Sequence, residues 1–460
     1  MEERAENRLG TQSVGKLLLS MSLPLMISMF VQALYNIVDG IYVAQISEDA
    51  FTATSLAFPA QMLMTALALG LGAGANSLIS RRLGAREFDG ADRAAGNGLT
   101  LSLITYVVVM LFGIFGSRWF IALFTADETL ISLGADYLSI CATYSVGIYV
   151  SIMCERLLQA TGNSMMSMIM QLAGAITNII FDPILIFGRY GFPETGIKGA
   201  AIATVMGQVV SALLGIVFNA AKNHEIHMSL RHLALDGKTV ADIYRVGVPV
   251  TVLNALGSVL TVFMNMILIE FSSTAVAVFG AYYKLNSFIY MPVFGLVQGL
   301  VPIVGFNYGA RKPDRIMRAV KLACITAVCI LTFGMILFLT IPDKLLSIFE
   351  AGNEMLAIGC VALRIIGIAF PFSAISIVLG NMFQGLGIGT VSLVNSFMRQ
   401  IVVLLPCAYL LSHAFGLDAT WYSFLISELA SLAYTLIAYK TIYTKRIKPL
   451  YNTESVDEIQ

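Results

Sequence analysis

Long apolar stretches recur along the whole chain, each closed off by a polar break, and nothing else limits its fold as strongly. A membrane-spanning helix needs about 20 predominantly apolar residues. Such stretches fall near 17–45, 53–80, 95–117, 130–153, 164–187, 195–221, 243–270, 275–306, 317–340, 355–380, 390–411 and 417–440. Charged residues make up only 12% of the 460, against about 25% in soluble domains. The expected fold is an all-α integral membrane protein of twelve transmembrane helices. The stretch from Glu2 to Lys16 is polar and of mixed charge, with no small-residue cleavage site beyond it, so the first apolar segment reads as a retained helix.

Basic residues set the orientation of such a chain. With the N-terminus inside, the inner breaks hold Arg81, Arg82, Arg86 and Arg93, then Arg156, then Lys222, Arg231, Lys238 and Arg245. Arg311, Lys312, Arg315, Arg318 and Lys321 follow, and the tail adds Lys440, Lys445, Arg446 and Lys448. The outer breaks hold only Arg118, Arg189, Lys198 and Lys344. The asymmetry never reverses, which predicts that both termini are cytoplasmic.

An internal repeat then divides the chain. Pro24 matches Pro249, an offset of 249 − 24 = 225 residues. At the same offset Gly70, Leu71 and Gly74 match Gly295, Leu296 and Gly299, and Gly84-Ala85-Arg86 matches Gly309-Ala310-Arg311. Asp89, Arg93, Gln159 and Gly162 match Asp314, Arg318, Gln384 and Gly387 without a gap. The expected organisation is a tail (1–15), a first six-helix bundle (16–221), a cytoplasmic linker (222–242), a second six-helix bundle (243–445) and a second tail (446–460). Because six is even, both bundles enter from the same side, as in parallel-repeat secondary transporters. Gly70/Gly74 and Gly295/Gly299 are GxxxG pairs that let helix backbones approach closely.

Several function classes fall away. A net charge of zero argues against a nucleic-acid partner. The six cysteines form no CxxC pair and read as free, buried, small hydrophobes. His224, His227 and His232 share one polar loop, and His413 ends a segment, so no metal site is expected. The glycine runs at Gly70 and Gly385 fit neither GxGxxG nor the Walker spacing, so no ATPase is indicated. No catalytic dyad suggests an enzyme. Any work done on a solute would have to draw on an ion gradient.

The chemistry concentrates in a few polar residues inside apolar segments. Asp39 lies deep in the first, and a carboxylate at membrane depth costs at least ~2.5–3.5 kcal/mol on insertion scales, so it reads as an ion or proton site. Tyr35 and Asp39 are four apart, as are Asn178 and Asp182, and residues so spaced share a helix face. Glu155 and Thr204 add a carboxylate and a hydroxyl. These are hard oxygen donors suited to a small hard cation, and the same carboxylates held away from water can carry protons instead. Pro183 frees a backbone carbonyl near Asp182. The second half is not a copy here, since Met264 stands opposite Asp39 and Cys407 opposite Asp182. It carries instead Glu270, Lys284, Arg364, Arg399 and Glu428, with Tyr282, Lys284 and Asn286 expected to form a polar patch facing a central cleft. These charges serve equally well as mutual pairs. Met (22 residues) and aromatic rings are abundant; Met suits repackable binding surfaces and aromatic faces attract organic cations.

Together these motifs resemble a known family. They are Pro24…Gln32…Tyr35-Asn36-Ile-Val-Asp39, Leu83-Gly84-Ala85-Arg86, Gln159-Ala-Thr161-Gly162-Asn163, Asn178-Ile-Ile-Phe-Asp182-Pro183 and Gly196-Ile197-Lys198-Gly199-Ala200-Ala201-Ile202-Ala203-Thr204. Set in this order over roughly residues 15–445, they look like the multidrug and toxic compound extrusion (MATE) transporters, especially a MepA-like bacterial branch. The resemblance implies a V-shaped pair of bundles in the bacterial cytoplasmic membrane, acting as a monomer. It implies antiport of organic cations or drugs against Na⁺ or H⁺ by rocker-switch alternating access, with no cofactor beyond the coupling ion. It also implies that Asp39, Asn178, Asp182 and Thr204 form the first-lobe cation site, with Tyr35 beside them. Glu155 stands where that family often has Asn, which adds a third carboxylate to the expected coupling set. A second-lobe carboxylate pair is only half present: Glu270 is a candidate, but the tenth segment offers Arg364 and no Asp. The rival reading is a flippase for lipids or lipid-linked oligosaccharides of the same architecture, for which Lys284, Arg364 and Arg399 would hold a headgroup.

Overall fold

The computed structural model describes residues 7–349 and 351–451, and the outermost parts of both expected tails lie outside them. The described chain is helical, and its spanning helices are numbered here in order. In the first half they are α1 (Val14–Ala44), α2 (Glu48–Gly84), α3 (Phe88–Phe115), the bent pair α4 (Glu128–Thr143 with Val146–Ala160), α5 (Ser164–Phe187) and α6 (Ile197–Lys222). In the second they are α7 (Gly237–Ile269), α8 (Ser273–Gly309), α9 (Pro313–Thr340), the bent pair α10 (Asn353–Gly367 with Phe370–Gly385), α11 (Gly389–Phe415) and α12 (Leu417–Tyr451). Twelve spans result when each bent pair counts as one. The breaks in α4 (45°) and α10 (49°) were not expected from the apolar runs. The linker free of spanning helix is also shorter than expected, because α7 already begins at Gly237.

The repeat governs local structure to the residue. Both α2 and α8 begin on a serine whose side chain accepts the backbone N–H three residues on, Ser47 from Ala50 and Ser272 from Ala275, each at 3.0 Å. Such a cap satisfies a backbone donor that the helix itself cannot. Arg86 and Arg311 both take the left-handed conformation, at φ 59° and 55°. The breaks in α4 (Tyr144–Ser145) and α10 (Ile368–Ala369) also fall within one residue of the offset.

The two halves interleave at one end. There α7 packs along α2 and α8 along α1. Ser22 donates to the Leu296 carbonyl (3.1 Å) and Thr251 to that of Ala66 (3.2 Å). The GxxxG pairs serve this contact between halves: Gly70 and Gly74 face α7, while Gly295 and Gly299 face α1. At the pseudo-twofold axis a side chain on Gly84 would strike the Phe306 carbonyl, and one on Gly309 the Arg81 carbonyl.

The chain start seals the same end. Leu9 is fully buried, and its carbonyl accepts from Asn307 Nδ2 (3.1 Å) and Arg315 Nη2 (3.0 Å). Asn7 meanwhile reaches Glu225 in the linker. Among the described residues, the side-chain hydrogen bonds between bundles all use α1 before residue 30, α2 beyond residue 61, or Arg156. Among the described residues no such bond is found at the opposite end, which is the open end of the two bundles. All six cysteines are free, but only Cys141 and Cys154 are buried; Cys324, Cys360 and Cys407 are half-buried, and Cys329 is exposed because its face of α9 points away from the bundle.

Candidate functional site

Three helices of the first half gather the polar residues near the open end. Asp39 (α1) and Asp182 (α5) lie within hydrogen-bond reach of each other. Asp182 is fully buried, and α5 runs a further turn beyond Pro183 to Phe187. In the orientation that satisfies both ends of its amide, Asn178 donates to Asp182 Oδ2 (3.2 Å) and accepts from the Thr204 backbone N–H on α6 (3.3 Å). The Thr204 hydroxyl lies 3.4 Å from the same amide. Tyr35, one turn before Asp39, accepts from Gln32 Nε2 at 3.2 Å and is close enough to both carboxylates to feel their charge. Buried Asp39 Oδ1 has no donor from the protein.

This arrangement places two carboxylates side by side. Among the described residues, no Lys, Arg or His pairs with either. Two like unit charges ~4 Å apart repel by about 4 kcal/mol at an effective dielectric of about 20. One small cation, or one shared proton, removes that repulsion.

Sequence reasoning missed the wall of the site formed by α2 and α4. Gln61 Nε2 donates to Tyr137 Oη at 3.3 Å, and Cys141 lies against both, near Asp39. A lone Gln or Tyr in an apolar helix carries no signal of its own. Only the shared face of Tyr137 and Cys141, four residues apart, pointed inward.

Glu155 does not belong to this cluster. It is buried in the second part of α4, accepting from Gln159 Nε2 (2.6 Å), and Ser167 donates to its backbone carbonyl (3.3 Å). Ser167 and Asp182 both lie on α5, fifteen residues and therefore about 22 Å apart along the axis. Neighbouring Arg156 donates to Gln159 (2.8 Å) and, across the gap between bundles, to Gln298 on α8 (2.9 Å). Glu155 is thus part of the closed-end contact. The reason is the break at Tyr144–Ser145, after which the helix runs on to Ala160 at the closed end.

The second-half candidates scatter. Glu270 ends α7, exposed, with His413 3.9 Å away, and among the described residues it forms no second-lobe carboxylate pair. Lys284 is exposed, 5.8 Å from the Phe349 ring centre, and Arg364 is exposed on α10. Tyr282 points instead into the bundle, 5.5 Å from the Phe424 ring, so Tyr282 and Lys284 form no common patch. Residues two apart on a helix do not share a face. Arg399 pairs with Glu428 of α12 at 2.5 Å.

Two pseudo-symmetric bundles around buried polar residues define a multi-pass membrane transporter. The comparisons agree with that class. The MatE family pattern matches residues 24–184 and 249–410, one copy per half, and the chain belongs to that family. The multidrug export protein MepA of Staphylococcus saprophyticus is 27% identical over 429 residues, covering 93% of this chain and 94% of its own. MepA of a Staphylococcus aureus strain is equally similar, at 27% over 433 residues, with the same coverage. Among solved structures, an outward-facing multidrug resistance MATE transporter of the MOP superfamily superposes with a TM-score of 0.89 at 26% identity, over 97% of this chain and 98% of that one. A MOP superfamily transporter from Pyrococcus furiosus, described as having a binding pocket of reversed polarity, gives 0.88 at 26%, over 96% and 98%.

Proposed function

We propose that the chain is a cation-coupled efflux antiporter that exports organic cations and amphipathic drugs. The observation that carries this reading is the contact between Asp39 and Asp182 without a cationic partner from the protein. Na⁺ or H⁺ loads the pair and removes its repulsion. Emptied, the pair attracts a cationic drug. Ion and drug therefore compete for one negative charge, the least that exchange requires. A ligand shifts a conformational equilibrium only through its differential affinity for the two states, and a change of charge between two touching carboxylates supplies such a difference. The bundles rock about the closed end, where close glycine contacts and a few side-chain bonds such as Arg156 to Gln298 hold them.

In this reading the protein works as a monomer in the bacterial cytoplasmic membrane. Both termini and the linker are cytoplasmic, which makes the open end outward-facing. The basic residues grouped at the closed end support that orientation. The test is ethidium transport into or out of proteoliposomes under an imposed Na⁺ gradient and, separately, an imposed pH gradient. Transport driven by one gradient is the expected result and names the ion. If neither gradient moves the dye, the antiport reading fails and lipid-linked substrates become the next to assay.

A further inference from the structure

The second bundle has a polar interior of its own, on the helices that correspond to those of the first. Arg399 of α11 and Glu428 of α12 form a pair at 2.5 Å, with 28% and 13% of their side-chain surface exposed, so both lie mostly inside the bundle. By the repeat, α11 corresponds to α5 and α12 to α6, the helices of Asn178, Asp182 and Thr204. Asn286 on α8 stands at the counterpart of Gln61 on α2 (61 + 225 = 286). Tyr282, Asn286 and Tyr290 are spaced by four and line one face of α8. Both tyrosines are buried and close enough to Glu428 and Arg399 to feel their charge.

Two features mark this interior as more than packing. Glu428 Oε2 and Asn286 Oδ1 are buried acceptors to which the protein brings no donor, as is Asp39 Oδ1 in the first bundle. Moreover α11 is a π-helix over Met398–Leu404, whereas α5 is a regular α-helix throughout. A π-turn shifts the register of a helix and is frequent at functional sites. Here it bears Arg399. The charge balance then separates the two interiors: among the described residues the Asp39–Asp182 site holds two carboxylates and no protein cation, while the second bundle's interior sets one carboxylate against one guanidinium.

We propose that the second bundle contains a cation site built on the same helices as the first, and that Arg399 occupies it as a tethered cation. The inference rests on reading Asp39 and Asp182 as an ion site. Its consequence is that only the first bundle draws a cation from solution, while the second stays charge-balanced through the cycle. Removing the guanidinium should turn the second bundle into a site for a free monovalent cation, best filled by one bearing N–H donors for Glu428 and Asn286.

The test is the thermal unfolding of the full-length protein in detergent micelles, with methylguanidinium or Na⁺ titrated against K⁺ at constant ionic strength. Arg399→Ala should unfold at a lower temperature than wild type. Methylguanidinium should raise its midpoint at least twice as far as that of wild type. The double variant Arg399→Ala/Glu428→Gln should respond no more than wild type. An equal response in wild type and Arg399→Ala, or one that survives the loss of Glu428, would overturn the proposal. A wild type that responds to Na⁺ while Arg399→Ala ignores methylguanidinium sinks the tethered cation and leaves the first-bundle reading standing. The converse pattern supports the tethered cation and leaves H⁺ rather than Na⁺ as the ion of the first bundle. Should Arg399→Ala not survive purification in K⁺, recovery of monodisperse protein only in methylguanidinium supports the proposal. Failure in both salts, with Arg399→Gln/Glu428→Gln folding normally, contradicts it.

Discussion

Asp39→Asn is expected to slow gradient-driven export of a cationic dye by about a hundredfold while leaving the protein as heat-stable as wild type or more so. The two effects have one cause. Asn keeps the shape of Asp and can donate to Asp182, where wild type sets two carboxylates against each other. The repulsion disappears without any ion, and with it the competition between ion and drug. Close charge pairs couple by about 1.5–7 kcal/mol, and 2.7 kcal/mol is already about a hundredfold. Dye flux into proteoliposomes and a melting curve on the same preparation check both halves. Glu155→Gln should do the opposite, lowering the melting temperature through the closed-end network of Gln159, Arg156 and Gln298 while the ion dependence of transport stays as in wild type.

Gly84→Ala and Gly309→Ala should each impair transport by more than about tenfold and lower the melting temperature. At both positions the new methyl group would meet a backbone carbonyl of the other half, Phe306 or Arg81, which cannot rotate aside. Overpacking a tight contact costs about 1–3 kcal/mol and occasionally more, and here the strain falls on the axis about which the bundles move. Gly280→Ala is the control. It lies within α8 with open space around it, and Ala there should be neutral or slightly stabilising. If Gly84→Ala and Gly309→Ala behave like Gly280→Ala, the closed end is not a rigid contact.

The same repeat explains what the sequence disclosed and what it hid. Most element boundaries were legible from the apolar runs, and the 225-residue offset, which runs without a gap from Pro24/Pro249 to Gly162/Gly387, repeats caps and left-handed residues alike; the breaks in α4 and α10 were not legible. Asp39, Asn178, Asp182 and Thr204 stood out because each is polar in an apolar segment, and spacing already placed Asn178 and Asp182 on one face. Their meeting across α1, α5 and α6 came from resemblance to a family rather than from spacing. Glu155 entered the expected site only through the family resemblance, although its neighbour Arg156, counted among the inner basic residues, already placed it near the cytoplasmic end. Pairing between helices was hidden, so Arg399 and Glu428 could be named but not joined. The role of GxxxG was half legible: close approach follows from the glycines, but the partner helix lies in the other half.

The central claim is that ion and organic cation compete for Asp39 and Asp182. The most direct measurement is the equilibrium affinity for a fluorescent organic cation as the coupling ion is titrated, in wild type and in Asp39→Asn. Linkage requires that an ion which weakens dye binding be weakened by the dye to the same degree. The expected result is a dye Kd that rises steadily with Na⁺ or with acidity in wild type and stays flat in Asp39→Asn. A wild-type Kd indifferent to both ions, or a dependence that Asp39→Asn retains in full, would contradict the account.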